Sequence, residues 1–332
     1  MPETVCVDSG RTKLRARGDA VIVVAGESLV DLLVADDGSV TATPGGGPYN
    51  VARTLGRLGR PVAYLGRLST DRFGRILRAH LEADGVDLAM APTTDDPTLL
   101  AVAEFDDAGT AHYRFHSAAT AAAGLVASDV PGGLPAGATA LHVGTLGLVL
   151  EPMADTIEGL VAGADPSVLV MADPNCRPAA ITDEAGYRAR LDRILARADV
   201  LKVSTDDLAW LEPDLDPIAA ARRLLARGSS VALVTDGERP VRIVFAAAED
   251  VVVVDPPAVR VIDTIGAGDG FGGGFLAAWT GAGLSRADLH DREAMTAAIR
   301  FAVEIGARTA GRAGAEPPTL AELGEVAPGW QA

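Results

Sequence analysis

One carboxylate in this chain sits where a turn of glycines meets a helix. Asp269 closes the run Asp263-Thr264-Ile265-Gly266-Ala267-Gly268-Asp269, and Gly270-Phe271-Gly272-Gly273-Gly274 follow. Phe271, Phe275 and Trp279 then recur at helical spacing. The alternation Val259-Arg260-Val261-Ile262 just upstream predicts a strand. A strand, a glycine turn and a helix leave the N–H groups of Gly266, Ala267, Gly268 and Asp269 free to converge on one spot, where the helix dipole favours an anion. An aspartate at a helix start is usually only an N-cap. Beside an anion hole, the same carboxylate is placed as the base of a phosphoryl transfer. A competing pattern overlaps it: Gly268, Gly270 and Gly273 satisfy G-x-G-x-x-G, the mark of an NAD-binding oxidoreductase. That fingerprint normally opens the first βαβ unit of its domain, and here it falls near the end of the chain.

The elements that must position Asp269 follow from the apolar pattern. Val21 to Ala25 reads as a buried strand, broken by Gly26-Glu27. Leu29 to Val34 resumes as a strand with one polar residue, Asp31. An unpaired carboxylate is costly to bury, so Asp31 should face a cavity or a partner. The loop Thr43-Pro44-Gly45-Gly46-Gly47-Pro48-Tyr49-Asn50 precedes a helix marked by Val51, Leu55 and Leu58 and ended by Gly59. Its glycines admit a ligand to the backbone, and Asn50 offers a donor and an acceptor; the plain alternative is a helix-capping loop. A bulky Tyr49 beside these glycines would narrow a pocket or give it a stacking face. Leu99–Phe105 and Ala111–Phe115 read as a hairpin around Asp106-Asp107-Ala108-Gly109. Tyr113, Arg114, Phe115 and His116 stand at its end, placed either to pack that face or to reach a substrate. Short apolar runs at Leu141–Val143, Val168–Met171, Val200–Val203 and Val231–Val234 alternate with helical segments at 152–162, 184–197, 217–227 and 291–310. Such alternation predicts a doubly wound, mostly parallel sheet, with ligands off the carboxyl ends of its strands.

The chain has 332 residues, is 48% hydrophobic and carries a net charge of −16. That is ample for one large α/β domain and argues against nucleic acid or an anionic membrane as the main partner. Local N–H groups and Mg²⁺ can still bind phosphate against that field. Two cysteines, Cys6 and Cys176, support no disulfide framework and fit a reduced cytoplasmic setting. Residues 1–19 read as a polar, mobile leader rather than a secretory signal, and no run approaches a membrane span. The five histidines show no zinc-ligand spacing.

Asp263 to Asp269 resembles the C-terminal signature of the ribokinase-like (PfkB) sugar kinases, Asp-Thr-x-Gly-Ala-Gly-Asp, at every position. Gly45, Gly46 and Asn50 resemble the family's N-terminal Gly-Gly-x-x-x-Asn element, and the two signatures stand in the family's order. The resemblance covers about residues 20–320. It implies a ribokinase-like three-layer α/β/α sandwich over residues 20–325, with a small β-sheet lid built from about 30–43 and 98–117. It implies ATP-dependent phosphorylation of a sugar's primary hydroxyl, with Asp269 as base and the N–H groups of Gly266, Ala267 and Gly268 as anion hole. It further implies Asp31, Gly45, Gly46 and Asn50 on the sugar hydroxyls and Mg²⁺ on the phosphates.

Other segments extend the resemblance. Asp173-Pro174-Asn175-Cys176-Arg177 is similar to the Asp-x-Asn-x-Arg element of fructokinase-like and ketodeoxygluconate-kinase-like members, which would put Arg177 on a sugar acid or on the moving phosphate. Its plain alternative is a surface arginine paired with Asp173. Ser204 and Asp207 resemble the Ser-x-x-Glu element that orients Mg²⁺ waters, with an acid one methylene shorter; a simple capping box explains the same spacing. Thr235-Asp236-Gly237 resembles the nucleotide-side Thr-x-Gly loop, with Pro240 where the family has a second glycine. Asp263, Ile265, Arg312 and Gly314 would surround a K⁺ ion. The family also implies a homodimer formed through the β-lid. The Gly-Gly-x-Pro-x-Asn-Val-Ala match at Gly45–Ala52 belongs to the fructokinase-like branch and points to fructose. The alternatives are 2-keto-3-deoxygluconate, then ribose or a nucleoside, and outside the class a non-catalytic sugar-binding protein.

Overall fold

A computed structural model describes residues 20–35, 37–105 and 111–324. The chain begins with β1 (Val21–Ala25), β2 (Leu29–Val34) and β3 (Val40–Gly45), then α1 (Gly47–Arg57), β4 (Val62–Leu65) and β5 (Leu68–Ser69). There follow α2 (Arg72–Ala83), β6 (Thr93–Thr94), β7 (Leu99–Phe105), β8 (Ala111–His116), β9 (Ala138–Gly144) and α3 (Met153–Gly163). Next come β10 (Leu169–Asp173), α4 (Glu184–Leu195), β11 (Val200–Ser204), α5 (Thr205–Leu211) and α6 (Pro217–Leu225). The chain continues with β12 (Val231–Asp236), β13 (Arg239–Phe245), β14 (Val251–Val254), α7 (Ala267–Gly281) and α8 (Arg292–Ala310).

The large sheet runs β14-β13-β12-β11-β10-β9-β1-β4. All its neighbours pair in parallel except β12–β13 and β13–β14. Each central strand is buried on both faces, which is why it reads as a continuous apolar run. One face, with Ile22, Val24, Leu169, Met171 and Leu233, packs with Leu55 of α1, Phe275 and Trp279 of α7, and Ile299 of α8. The other face, with Val23, Leu141, Val170 and Leu201, packs with Ile157 of α3, Leu191 of α4 and Leu224 of α6. The chain leaves β1 toward β4 on one side and resumes at β9 on the other. The strand order therefore reverses between β1 and β9, and the crevice beyond their carboxyl ends is the ligand position such a sheet prepares.

A second, four-stranded sheet, β3-β2-β7-β8, stands over that crevice. In it Asp31 lies opposite Thr43 on one side and Ala101 on the other.

Three features differ from the sequence reading. Val259–Ile262 forms no strand: β14 ends at Val254, and the N–H groups of Ile262 and Asp263 instead donate to the carbonyl of Ala310 at the end of α8. The segment has no buried face, with Val261 and Ile262 49% and 60% exposed, and Pro256-Pro257 ahead of it lack N–H donors. The antiparallel edge β13–β14 was not anticipated. The helix α5, only 7 residues long, was anticipated solely by its cap at Ser204. The turn at Asp106–Gly109 and the leader at 1–19 lie outside the described residues.

Candidate active site

Asp269 is the third residue of α7, after Ala267 and Gly268. Gly266 caps that helix in the left-handed region, at φ 75°. A Cβ on Gly266 would also stand 2.4 Å from the Cβ of Ala315, so both its conformation and its surroundings require glycine. Asp269 is 8% exposed and accepts a 2.8 Å hydrogen bond from Nδ2 of Asn50 in α1. Burial raises its pKa, and the Asn50 bond with the Lys202 and Arg177 cations pulls the other way.

α7 can lie this close to α1 and α8 because its glycines are small where the helices touch. A Cβ on Gly273 would meet Thr54 of α1 at 2.7 Å, and one on Gly270 would meet Oγ1 of Thr309 in α8 at 2.7 Å.

The backbone at the start of α7 faces a cavity of ≈ 360 Å³, within the range of small-molecule sites. Gly266, Gly268 and Asp269 line it, with Thr264 and Ile265. Ala267 does not: its N–H donates to the carbonyl of Thr264 at 3.2 Å. The anion hole expected of four N–H groups thus loses Ala267, whose donor closes the turn instead.

Of the five residues expected to hold a sugar, four meet across the same cavity and Gly45 does not line it. Asp31, Gly46, Asn50 and Arg177 line it, and Tyr113 and Phe115 of β8 close it from the small sheet, their rings 6.3 Å apart. Burial lifts the pKa of Asp31 to about 6, against the pull of Arg177. Gly45 is required by that carboxylate, since a Cβ would fall 2.2 Å from Oδ2 of Asp31. Gly46, at φ 111°, backs onto the carbonyl of Glu27. Tyr49 is a correction. It is fully buried in the core beneath α1, 5.8 Å from the guanidinium of Arg53, and neither narrows the cavity nor stacks in it.

The comparisons with known proteins bear on this geometry. Residues 18–321 match the family model described as pfkB family carbohydrate kinase. The chain belongs to the pfkB family of carbohydrate kinases. Within that family it is 34% identical to a fructokinase of Rhizobium leguminosarum bv. trifolii, over 77% of this chain and 79% of that one. A fructokinase of Vibrio alginolyticus is 31% identical, over 90% and 96%. Among solved structures, the fructokinase of Xylella fastidiosa with bound ATP superposes with a TM-score of 0.82 at 28% identity, covering 91% and 96%. A Vibrio cholerae fructokinase double mutant bound to fructose, ADP and potassium ion gives 0.78 at 25% identity, covering 91% and 95%. The architecture is the ribokinase-like three-layer α/β/α sandwich with its small second sheet.

The residues that the family resemblance assigns to the nucleotide, Ser204, Thr235 and Gly237, stand at the ends of β11 and β12 and in the turn after β12. Ser204 and Asp207 form a capping box: Oγ of Ser204 accepts from Asp207 N at 3.0 Å, and Ser204 N donates to Oδ2 of Asp207 at 2.9 Å. The other oxygen of Asp207 accepts the N–H of Cys176 at 2.6 Å, which ties the Asn175–Arg177 loop to α5. The capping box and the cavity-facing carboxylate are thus the same residue. Thr235 lines the cavity and Gly237 does not; Gly237 stands in the open β12–β13 turn at φ 58°. Arg177 does not pair with Asp173. Its Nη1 donates to the carbonyl and Oδ1 of Asn175 and to the carbonyl of Cys176.

Asp263 joins two loops, its Oδ1 accepting from Ile265 N and its Oδ2 from Gly314 N at 2.9 Å. Gly314 has φ 70°, and the Arg312 guanidinium is paired with Glu322.

Two residues of this kinase escaped the sequence reading. Glu27, at the end of β1, is fully buried and accepts the N–H of Gly47 at 3.1 Å and of Gly147 at 2.9 Å. It ties together the loops at the two sides of the sheet's reversal, and burial pushes its pKa up to about 8. Lys202, inside β11, is 4% exposed and pairs with Asp173 at 2.6 Å. Glu27 was readable only as part of the break after the Val21–Ala25 run, and Lys202 only as a charged residue inside an apolar run.

Proposed function

We propose that this kinase transfers the γ-phosphoryl group of ATP to the primary hydroxyl of fructose. The observation that carries the reading is the buried carboxylate of Asp269. It lies at the start of α7, between the backbone N–H groups of that turn and the sugar-side residues Asp31, Gly46 and Asn50. In this reading Asp31 and Asn50 hold sugar hydroxyls. Asp269 takes the hydroxyl proton as the sugar oxygen bonds to the γ-phosphorus, and the bond from that phosphorus to the bridging oxygen of ADP breaks. The N–H groups of Gly266 and Gly268 face the charge on the transferred group. Ser204 and Thr235 stand on the nucleotide side.

Among the described residues no group of three His, Cys, Asp or Glu gathers to hold a metal. A divalent ion would therefore arrive on the ATP phosphates, where it neutralises their charge, with Asp207 reaching it through water. Three donors already occupy Asp207, which suits it to such an indirect role. A K⁺ ion would be held by carbonyl oxygens of the 263–265 and 312–314 loops, which Asp263 already brings together.

Fructose is supported by the fructokinase relatives and by the paired carboxylates of the cavity. A sugar acid such as 2-keto-3-deoxygluconate would meet Asp31 and Asp269, while Arg177 is folded onto its own loop. The same reading includes a cytoplasmic location, where ATP is available, and two copies meeting through the small sheet, which exposes Leu33 and Val40. The test is kcat/KM with ATP for fructose, 2-keto-3-deoxygluconate, ribose and adenosine, measured side by side. Fructose should lead by at least about tenfold, a difference of about 1.4 kcal/mol in transition-state binding. A tenfold lead for any other member of the panel would overturn the substrate.

A further inference from the structure

Beneath the first turn of α7 lies a charged pair that the catalytic reading above leaves unused. Lys202 rises from β11 inside the face of the sheet that α1 and α7 cover. Its ammonium packs against Gly268 in the first turn of α7, where a Cβ would stand 3.2 Å from Nζ. The stem passes Gly272, where a Cβ would be in ordinary contact with Cδ at 3.9 Å. The ammonium thus ends under the start of α7 at the cavity wall, which Lys202 and Gly268 both line.

Nζ donates to Oδ2 of Asp173 at 2.6 Å, and both side chains are 5% exposed or less. Oδ1 of Asp173 has no partner among the described residues. Burial pulls the lysine toward neutrality, but the surrounding carboxylates, Asp173 first and then Asp269 and Asp207, outweigh it, so the ammonium stays charged. Burial lifts Asp173 to about 6, with Lys202 holding it down. His142, on β9, lies next to the pair, both its ring nitrogens without a partner among the described residues. Burial first, then Lys202, lowers its pKa to about 3, so it adds no second cation.

A buried ion pair is a poor source of stability, because desolvation cancels most of the attraction. What it supplies here is a fixed charge at a chosen place. We propose that Lys202 is a positioning residue for phosphoryl transfer: packed against Gly268, its ammonium sets a permanent positive charge beneath the first turn of α7, beside the carboxylate of Asp269. Asp173 holds the ammonium there. The proposal rests on Asp269 being the base. The charged and polar groups around that carboxylate are Asn50 of α1, Lys202 of β11 and Arg177 after β10, which favour its ionised form. Glu27 after β1, Asp31 of β2 and Asp173 of β10 oppose it when ionised. Removing Lys202 takes away a cation and leaves the opposing acids.

The test compares the wild type with Lys202→Met and with Lys202→Met/Asp173→Asn, by melting temperature and by the pH profile of kcat/KM. The acid limb of that profile reports the base in the free enzyme. Lys202→Met strands a buried carboxylate and should melt lower. The double variant removes both charges and should fold with a melting temperature near that of the wild type. The acid limb should move up by about one pH unit or more in the single variant if it folds, and by less in the double variant, which also loses the opposing Asp173 carboxylate. A double variant that melts normally with an unmoved acid limb would reduce the pair to a structural one and overturn the proposal. So would a double variant that cannot fold, since the pair would then be needed for stability. An Asp269→Asn enzyme measured alongside separates the two readings. Normal activity there removes the base itself, whereas loss of activity there with an unmoved limb in the double variant removes only the role of Lys202.

Discussion

Nδ2 of Asn50 donates to Oδ2 of Asp269 at 2.8 Å across 219 residues of sequence. The bond joins the first turn of α1 to the first turn of α7, and so joins the two glycine-bearing loops into one site. It also opposes the effect of burial, which raises the pKa of the carboxylate. A base works only when deprotonated, so activity should fall as pH drops through that raised value.

Asn50→Ala should therefore shift the acid limb of kcat/KM to higher pH and lower the rate at neutral pH. The lost bond is to a charged group, the stronger class of hydrogen bond, and without it burial is less opposed. A pH–rate profile superimposable on that of the wild type would contradict the role given to this bond.

The glycines of α7 should separate by what surrounds them. At Gly272 an added Cβ meets its nearest neighbour, Cε of Met171, at 3.6 Å, which is ordinary contact. Gly272→Ala should raise the melting temperature, by up to about 1 kcal/mol of helix propensity. At Gly273 the Cβ would stand 2.7 Å from Thr54 in α1, and Gly273→Ala should lower the melting temperature. Calorimetry of the two variants checks this; the reverse order would mean that α1 and α7 are not packed as described.

Glu27 gives stability a pH dependence. Its pKa is about 8 when folded and near 4.5 when unfolded, so the folded state holds a proton that the unfolded chain releases. That contribution is present below pH 4.5 and is lost as pH rises to about 8. Glu27→Gln keeps the neutral form at every pH. Its melting temperature should decline less than that of the wild type between those limits. Parallel declines would show that Glu27 titrates normally.

The loop pairing at Asp263 and Gly314 predicts a monovalent-cation effect. Exchanging K⁺ for tetramethylammonium at constant ionic strength should lower kcat, because an ion there fixes the turn that presents Gly266 and Gly268. Equal rates in the two salts would remove the site.

Much of this was legible in the amino-acid sequence, for physical reasons that differ by element. The parallel strands are buried on both faces, so their apolar runs announce them. Asp269 and the Gly45–Asn50 loop stand out because each sets glycines beside a polar side chain, and the fold brings Asp269, Gly46 and Asn50 to one cavity. Glu27 and Lys202 were missed for the opposite reason. Glu27 follows Gly26 in the break after an apolar strand and Lys202 is one charge inside an apolar run; only the fold shows that Glu27 spans the reversal of the sheet and that Lys202 packs against the start of α7. Tyr49 was misjudged because its position next to Gly45, Gly46 and Gly47 does not fix the direction of its side chain, which α1 turns inward. Val259–Ile262 alternates like a strand, yet no strand among the described residues pairs with it.

The central claim is that Asp269 is the base of a sugar kinase, and Asp269→Asn tests it most directly. The substitution keeps the size of the side chain and removes its basicity. With ATP and fructose, kcat should fall by about 10²–10⁴-fold while the affinity for ATP, measured by calorimetric titration, stays within about twofold. A folded Asp269→Asn enzyme that turns over within a few-fold of the wild type would contradict the account.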